Sequence, residues 1–403
     1  MTTSAVRRTT PKYATRAVFE TAATPPFAWH APTVVAAALC VMVGVYWDIS
    51  WHMSIGRDTF WTPAHLLIQA GGLVAGLTSG YVALRTTFGS DEAARDAAVS
   101  FWGFRAPLGA WVCIWGCVAM VASAPFDNWW HNAYGLDVKI VSPPHMVLAL
   151  GMISVELGAM LMVLAAQNRA TDPARVKQLG WAYAVAGGIL VVMVATLISE
   201  YAARPNHMHS PRFYQVAAGA FPLFVVAFAR AGRLRFPATT AAAVYTVIML
   251  ATIWILQLFP AQPRLAPIYV AVTHMVPPSF PLLLVVPALA IDLLLVRLGR
   301  RHDWLASVAL GVLFVGLLLA VQWFFGKFLL SPAARNYFFA GDQWAYMAQL
   351  GEWRYSFWRV PKDALGNVDP VAMARGLGIA TLIGIVSSRL GLWWGNGMSR
   401  VMR

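Results

Sequence analysis

The sequence predicts an all-α fold, a polytopic membrane bundle of about ten transmembrane helices built partly from repeated helical hairpins. Three observations carry this. Hydrophobic residues fill 59% of 403 positions and charged residues only 12%, about half the charged share usual in a soluble domain. Apolar runs long enough to cross a hydrocarbon core recur near 32–50, 64–85, 105–125, 144–167, 179–200, 214–230, 238–259, 277–297, 304–326 and 373–389. Lys and Arg are divided unequally between the two sets of connections.

That division sets an expected orientation. The N-terminal arm, the connections 86–104, 168–178, 231–237 and 298–303 with their flanking helix ends, and the C-terminus hold 19 of the 30 Lys and Arg; of the other 11, six fall in 327–376. The positive-inside rule then expects both termini in the cytoplasm, in a bacterial inner membrane. The net charge of +13 thus reads as an orientation and headgroup signal, with the lipid bilayer as partner and no nucleic acid. Residues 1–29 are basic without a hydrophobic core and do not read as a cleavable signal peptide. The expected organisation is a basic arm over 1–29, a duplicated hairpin region over 30–167, further spans over 168–326, and an aromatic outer segment with the last span over 327–403. Cys40, Cys113 and Cys117 all fall in apolar runs, so no disulfide framework is implied. The Cys113/Cys117 pair suits core packing better than a soft metal.

With this orientation seven of the nine histidines fall on the outer side: His52, His65, His131, His145, His207, His209 and His274. His30 and His302 remain for the cytoplasmic interface. Two segments organise the outer set. Residues 47–65 read WDISWHMSIGRDTFWTPAH and 126–145 read FDNWWHNAYGLDVKIVSPPH. Both give D-x-x-W-H-x-x-x-G-x-D, a short run, and P-[AP]-H at a helix start, with the copies 79 residues apart. Each bridges two spans, as a repeated helical hairpin would.

The spacing carries chemistry. Asp48 and His52, like Asp127 and His131, stand four apart and share a helix face. His65 and His145 follow a proline in the first turn of the next helix. A tight hairpin would bring that imidazole to the other two groups, and one carboxylate with two imidazoles makes three corners of a metal site with room for water or substrate. Asp58 and Asp137 are placed to orient ligand histidines, with Arg57 steadying the first site and Leu136 in its place in the second, where Lys139 is near. Trp51 and Trp130 suit an apolar wall or a headgroup anchor.

At these residues the chain resembles the C subunit of the copper membrane monooxygenases, the particulate methane and ammonia monooxygenase family. Asp48, His52 and His65 fit its D-x(3)-H-x(12)-H signature, with Arg57, Asp58, Thr62 and Pro63 in matching places. Asp127, His131 and His145 reproduce the spacing of its N-x(3)-H-x(13)-H site, with Asp for Asn, a change that favours a harder metal. The resemblance covers about residues 30–167; beyond about 179 nothing matches. It implies a membrane copper site (zinc or iron being the other candidates), dioxygen activation and hydroxylation of a small apolar substrate. It also implies an oligomer with partner subunits, including a cupredoxin-like periplasmic chain, because no such β domain is present here.

Other residues leave their readings open. Glu200, His207 and His209 in one outer loop and His274 in another suit degenerate repeat copies, metal binding, an entry path or interfacial hydrogen bonding. Glu156, inside the fourth span, suits a proton relay or a bond to a neighbouring helix. The segment 327–376 suits interfacial helices that lid the outer face or dock a partner. No nucleotide or haem-attachment motif is present. The leading expectation is a copper-dependent oxidoreductase or one of its subunits; the alternatives are a transporter or metal-handling protein using the same sites, and a structural subunit with relic ligands.

Overall fold

The computed structural model describes residues 29–56, 61–135, 142–263, 272–300, 302–340 and 359–402. Arg57, Asp58, Asp137, Lys139, nearly all of the N-terminal arm and residues 341–358 of the aromatic segment lie outside them, as does the side chain of Glu200.

Helices run through α1 (His30–Ser54), α2 (Pro63–Phe88), the short α3 (Glu92–Asp96), α4 (Leu108–Tyr134), α5 (Pro143–Arg169), α6 (Pro173–Leu197), the short α7 (Ser199–Ala202), α8 (Pro211–Ala231), α9 (Pro237–Leu256), α10 (Val285–Leu298), α11 (Asp303–Leu329) and α12 (Pro370–Met398). Among the described residues nine of these are long and apolar enough to cross a membrane, from 20 to 29 residues each, or roughly 30–44 Å of helix. The protein is an all-α bundle of the integral-membrane kind, and nine of the ten expected spans are full-length helices. A two-stranded antiparallel hairpin, β1 (Val99–Phe101) with β2 (Phe104–Ala106), interrupts the connection between α3 and α4. Its aromatic tip was not anticipated: Trp102 stacks on Phe101 with ring centroids 4.8 Å apart and meets Trp115 of α4 edge-on at 5.8 Å.

Local sequence sets where the helices begin. α2, α5, α6, α8 and α12 each start at a Thr-Pro, Ser-Pro or Asp-Pro step whose polar side chain accepts a backbone N–H of the first turn. The cap satisfies a donor the helix cannot, and proline occupies the position where a missing N–H costs nothing.

Hairpin partners approach until backbones touch. A Cβ on Gly44 of α1 would stand 2.7 Å from Ile68 Cγ1 and 3.2 Å from the Ala64 oxygen of α2. In α4 and α5, Gly116 and Gly151 face each other so that a Cβ on either would lie 2.8 Å from the other's carbonyl oxygen. Inside a bilayer, helix association gains little from the hydrophobic effect, so such close van der Waals contact supplies the attraction.

The tenth expected span, 277–297, is helical only from Val285. Pro277, Pro278 and Pro281 lack the N–H a helix needs and push their preceding residues toward extended backbone. Irregular backbone at this depth must find its partners within the protein, and it does. Val276 N–H donates to Ser54 Oγ of α1 at 2.7 Å, Leu282 N–H to Tyr245 Oη of α9 at 3.0 Å, and Leu283 N–H to Gln322 Oε1 of α11 at 3.1 Å. α10 repays one neighbour: its buried Asp292 accepts the Ala238 and Thr239 N–H groups at 3.2 and 2.8 Å, capping α9 from a distance. At the end of the bundle where α8 finishes, the buried Arg230 guanidinium joins Asn396 Oδ1 of α12 at 2.8 Å, the Gly299 carbonyl at 2.8 Å and Asp303 of α11.

Tyr245→Phe would leave the Leu282 N–H buried with no acceptor, at a cost of about 1–3 kcal/mol. Thermal unfolding of the detergent-purified variant is expected to show a lowered midpoint. A midpoint equal to that of the unsubstituted protein would contradict the role given to this hydroxyl.

Candidate metal centre

The last turns of α1 carry Asp48 and His52 on one face, one turn beyond the Gly44 contact. α2 opens at the Thr62 cap, which accepts the His65 N–H at 3.2 Å and so fixes His65 in the first turn. Because Gly44 lets the two helices touch, the imidazole meets the carboxylate. His65 Nε2 stands 3.0 Å from Asp48 Oδ1, and His52 Nε2 stands 3.5 Å from the same oxygen. One donor atom from each residue lies within 4.8 Å of the others.

The second hairpin repeats the construction. Ser142 caps α5 and accepts the His145 N–H at 3.4 Å. His131 Nε2 lies 3.2 Å and His145 Nε2 3.5 Å from Asp127 Oδ1. The small residue one turn before the acid is Gly44 in the first copy and the buried Ser123 in the second. Among the described residues only the first copy gathers all three donors mutually within 4.8 Å; in the second, the two imidazoles meet through the shared carboxylate oxygen.

The glycine of each motif also has a structural reason. Gly56 and Gly135 take φ of +97° and +85°, a region that side chains with a Cβ rarely enter. At Gly135 this turn places the carbonyl 3.2 Å from His131 Nδ1. A carbonyl only accepts, so Nδ1 carries the proton, and Nε2 of the neutral ring presents a lone pair to Asp127 Oδ1. Two acceptors facing each other call for positive charge between them, either a second ring proton or a metal ion. An N–H bonded to a backbone carbonyl is the arrangement that orients metal-bound imidazoles.

The donor set fits an ion. Two ligands about 2.1 Å from one ion, at angles between 90° and 109°, lie roughly 3.0–3.4 Å apart, close to the imidazole–carboxylate separations in both copies. Asp48 Oδ1 and Asp127 Oδ1 are buried and receive no hydrogen bond from the described residues. With three protein ligands, a fourth position stays open.

Between the two sets lies a cavity of about 30 Å³ lined by His65, Gln69, Ser123, Asp127 and His145 with Ile68, Ala124, Pro144 and Leu148, room for one or two water-sized species. It draws on both copies. Neither Gln69 nor Ser123 was singled out by the sequence, since they sit one turn inside the spans among apolar neighbours. Trp51, with Trp47 and Ile55, packs under Leu256, Ala261 and Met275. The loop carrying His274 therefore covers the end of α1 beside the first set. Trp130 packs among Phe126, Trp129 and Tyr134 instead, edge-on to the first two.

The other expected participants stand apart. His207 and His209 are buried, and His209 packs edge-on against Trp323 of α11 at 4.2 Å. Ser210-Pro211 repeats the cap-and-proline helix start, but the histidines precede the cap, so the loop is not a third copy of the ligand geometry. His274 is exposed, lies 3.0 Å from Thr273 Oγ1, and is followed by irregular backbone where a copy would have a helix. Glu156, 11 residues beyond His145 and so about 16 Å along α5, is fully buried with neither carboxyl oxygen hydrogen-bonded. Cys113 serves packing, its thiol 3.6 Å from the Val155 carbonyl between α4 and α5.

Burial, then the nearby Lys327 charge, lowers the His209 pKa to about 4, with a backbone hydrogen bond at Trp323 opposing them. The folded value lies below that of an exposed imidazole near 6.5, so the unfolded chain takes up the proton first. The contribution of neutral His209 is therefore complete above pH 6.5 and declines as the pH falls toward about 4. Unfolding midpoints of the protein and of His209→Phe, measured across that window, are expected to converge as the pH drops. Parallel curves would contradict it.

Comparison with protein-family models, with curated proteins and with solved structures finds no match for the chain.

Proposed function

We propose that the chain is a membrane metalloprotein whose Asp48/His52/His65 and Asp127/His131/His145 sets bind copper, and that it works as an oxidoreductase, or a subunit of one, of the copper membrane monooxygenase type. The observation that carries the reading is the convergence of one carboxylate oxygen and two imidazole nitrogens from Asp48, His52 and His65. Copper is preferred to zinc or iron because the motif spacing resembles that family's, while imidazole-rich sites accept all three metals. Bound copper would supply the electron transfer that activates dioxygen for hydroxylating a small apolar substrate.

The chain's own residues have defined tasks in this scheme. Asp48 and Asp127 offset the ion's charge in a half-buried setting. Gly135, through its carbonyl, holds His131 in the tautomer whose Nε2 carries a lone pair for an ion. The cavity between the sets admits one or two water-sized species, and its wall of Ile68, Ala124, Pro144 and Leu148 is apolar, which suits a small apolar substrate. In this reading the two sets face the periplasm, both termini face the cytoplasm, and a cupredoxin-like chain docks on the outer face of an oligomer.

A second reading is transport or metal handling. The broken span before α10 favours it, because interrupted helices at mid-bilayer are what secondary transporters use at their binding sites. Of its bonded N–H groups only that of Val276 reaches the end of α1, at Ser54, and none of its described residues joins either ligand set, which is why it ranks second.

Metal analysis and copper spectroscopy on protein purified after copper loading test the proposal. His52→Ala and His131→Ala are each expected to weaken copper at their own set by at least ~100-fold, since even outer-shell changes cost 10–100-fold. Bound zinc with no redox-active metal would overturn the oxidoreductase reading. Metal retained in both variants would overturn the ligand assignment itself.

A further inference from the structure

At the end of the bundle opposite the two ligand sets lies a larger cavity, about 140 Å³, lined by His30, Ala31, Pro107, Met162, Ala166, Arg169, Arg175 and Leu179. Four helices meet there: the starts of α1, α4 and α6 and the finish of α5. The mouth is basic and the walls are apolar. Arg85, in the last turn of α2, lies within electrostatic reach of His30 and adds a third guanidinium to the neighbourhood.

Among the described residues no acidic side chain lines the cavity. Asp172, three positions before Arg175, is turned to cap α6 and accepts the Arg175 N–H at 2.9 Å. α1 and α4 begin with no side-chain cap, so their first N–H groups add to the positive potential that anions seek at helix starts. Both guanidiniums already have partners, Arg169 donating to the Met402 carbonyl, but a guanidinium carries five N–H donors and can take an anion beside such contacts.

From this combination we infer that the cavity is a binding site for a phosphate group, held by Arg169, Arg175 and His30 at the mouth. Met162, Ala166 and Leu179 line the wall that a phospholipid's glycerol and first acyl carbons would follow. Basic pockets between transmembrane helices at the membrane surface suit anionic headgroups in this way. The metal chemistry proposed above is independent of this site, which sits at the other end of α1, α4 and α5.

The test uses the full chain reconstituted in vesicles of equal phosphatidylglycerol and phosphatidylcholine, extracted in mild detergent and weighed by native mass spectrometry. The expected result is one retained phosphatidylglycerol per chain in preference to phosphatidylcholine. That preference should fall roughly fivefold for each basic residue removed, hence roughly 25-fold in Arg169→Gln/Arg175→Gln, and survive in Arg169→Lys/Arg175→Lys. Ala166→Trp, which fills the cavity without changing charge or the Met402 contact, should abolish retention while the protein stays folded. A parallel arm adds inorganic phosphate to delipidated protein and follows the unfolding midpoint. A raised midpoint with no lipid retained assigns the phosphate site to a free anion and still upholds it. Equal retention of both lipids together with no response to phosphate overturns the inference, as does undiminished retention in Arg169→Gln/Arg175→Gln and Ala166→Trp.

Discussion

A carboxylate oxygen that faces imidazole nitrogens, with the ring proton drawn off to the other side, has to be met by positive charge. At His131 the Gly135 carbonyl accepts the hydrogen bond of Nδ1–H, and Nε2 and Asp127 Oδ1 stand 3.2 Å apart. Much of the surrounding structure serves this encounter and its counterpart at Asp48. Helix caps at Thr62 and Ser142 fix the incoming histidines. The absence of a side chain at Gly44 lets α1 and α2 close until Asp48 and His65 meet, and turns at Gly56 and Gly135 end the donor helices within one turn of the ligand.

The bilayer imposes the second constraint, that every backbone polar group be satisfied inside the protein. Nine long helices satisfy theirs internally. The stretch before α10 does not, and the side chains of Ser54, Tyr245 and Gln322 take over. Ser54 belongs to the same helix end as Asp48 and His52, so the irregular span is tied mechanically to the first ligand set. The two ends of the bundle thereby differ in chemistry: carboxylates and imidazoles gather at one, guanidiniums and uncapped helix starts at the other.

Much of this was legible beforehand. Long apolar runs with Ser-Pro, Thr-Pro or Asp-Pro starts announce membrane helices, and the matched D-x-x-W-H and P-x-H spacings place three groups of each copy on a helix end and the next helix start. Periodicity could not show the break at 277–284, since apolar content there is high and only the prolines speak against a helix. The cavity between the ligand sets was hidden because Gln69 and Ser123 come from different hairpins, and sequence spacing says nothing about how hairpins pack together. His207, His209 and His274 share the expected outer side with the ligands but not their place after a helix cap, and residue type and side alone could not tell the two groups apart. The basic cavity escaped for a similar reason: its arginines read as orientation signals until the helix ends were seen to surround a space.

The central claim is that each set closes on a cation. An anomalous difference map at the copper edge, from crystals of copper-loaded full-length protein, tests it most directly. The account predicts a peak about 2.0–2.2 Å from the nearest oxygen of Asp48 and from one ring nitrogen each of His52 and His65, with a second peak beside Asp127. Empty positions at both sets, with each carboxylate instead bonded to protonated imidazoles, would contradict it.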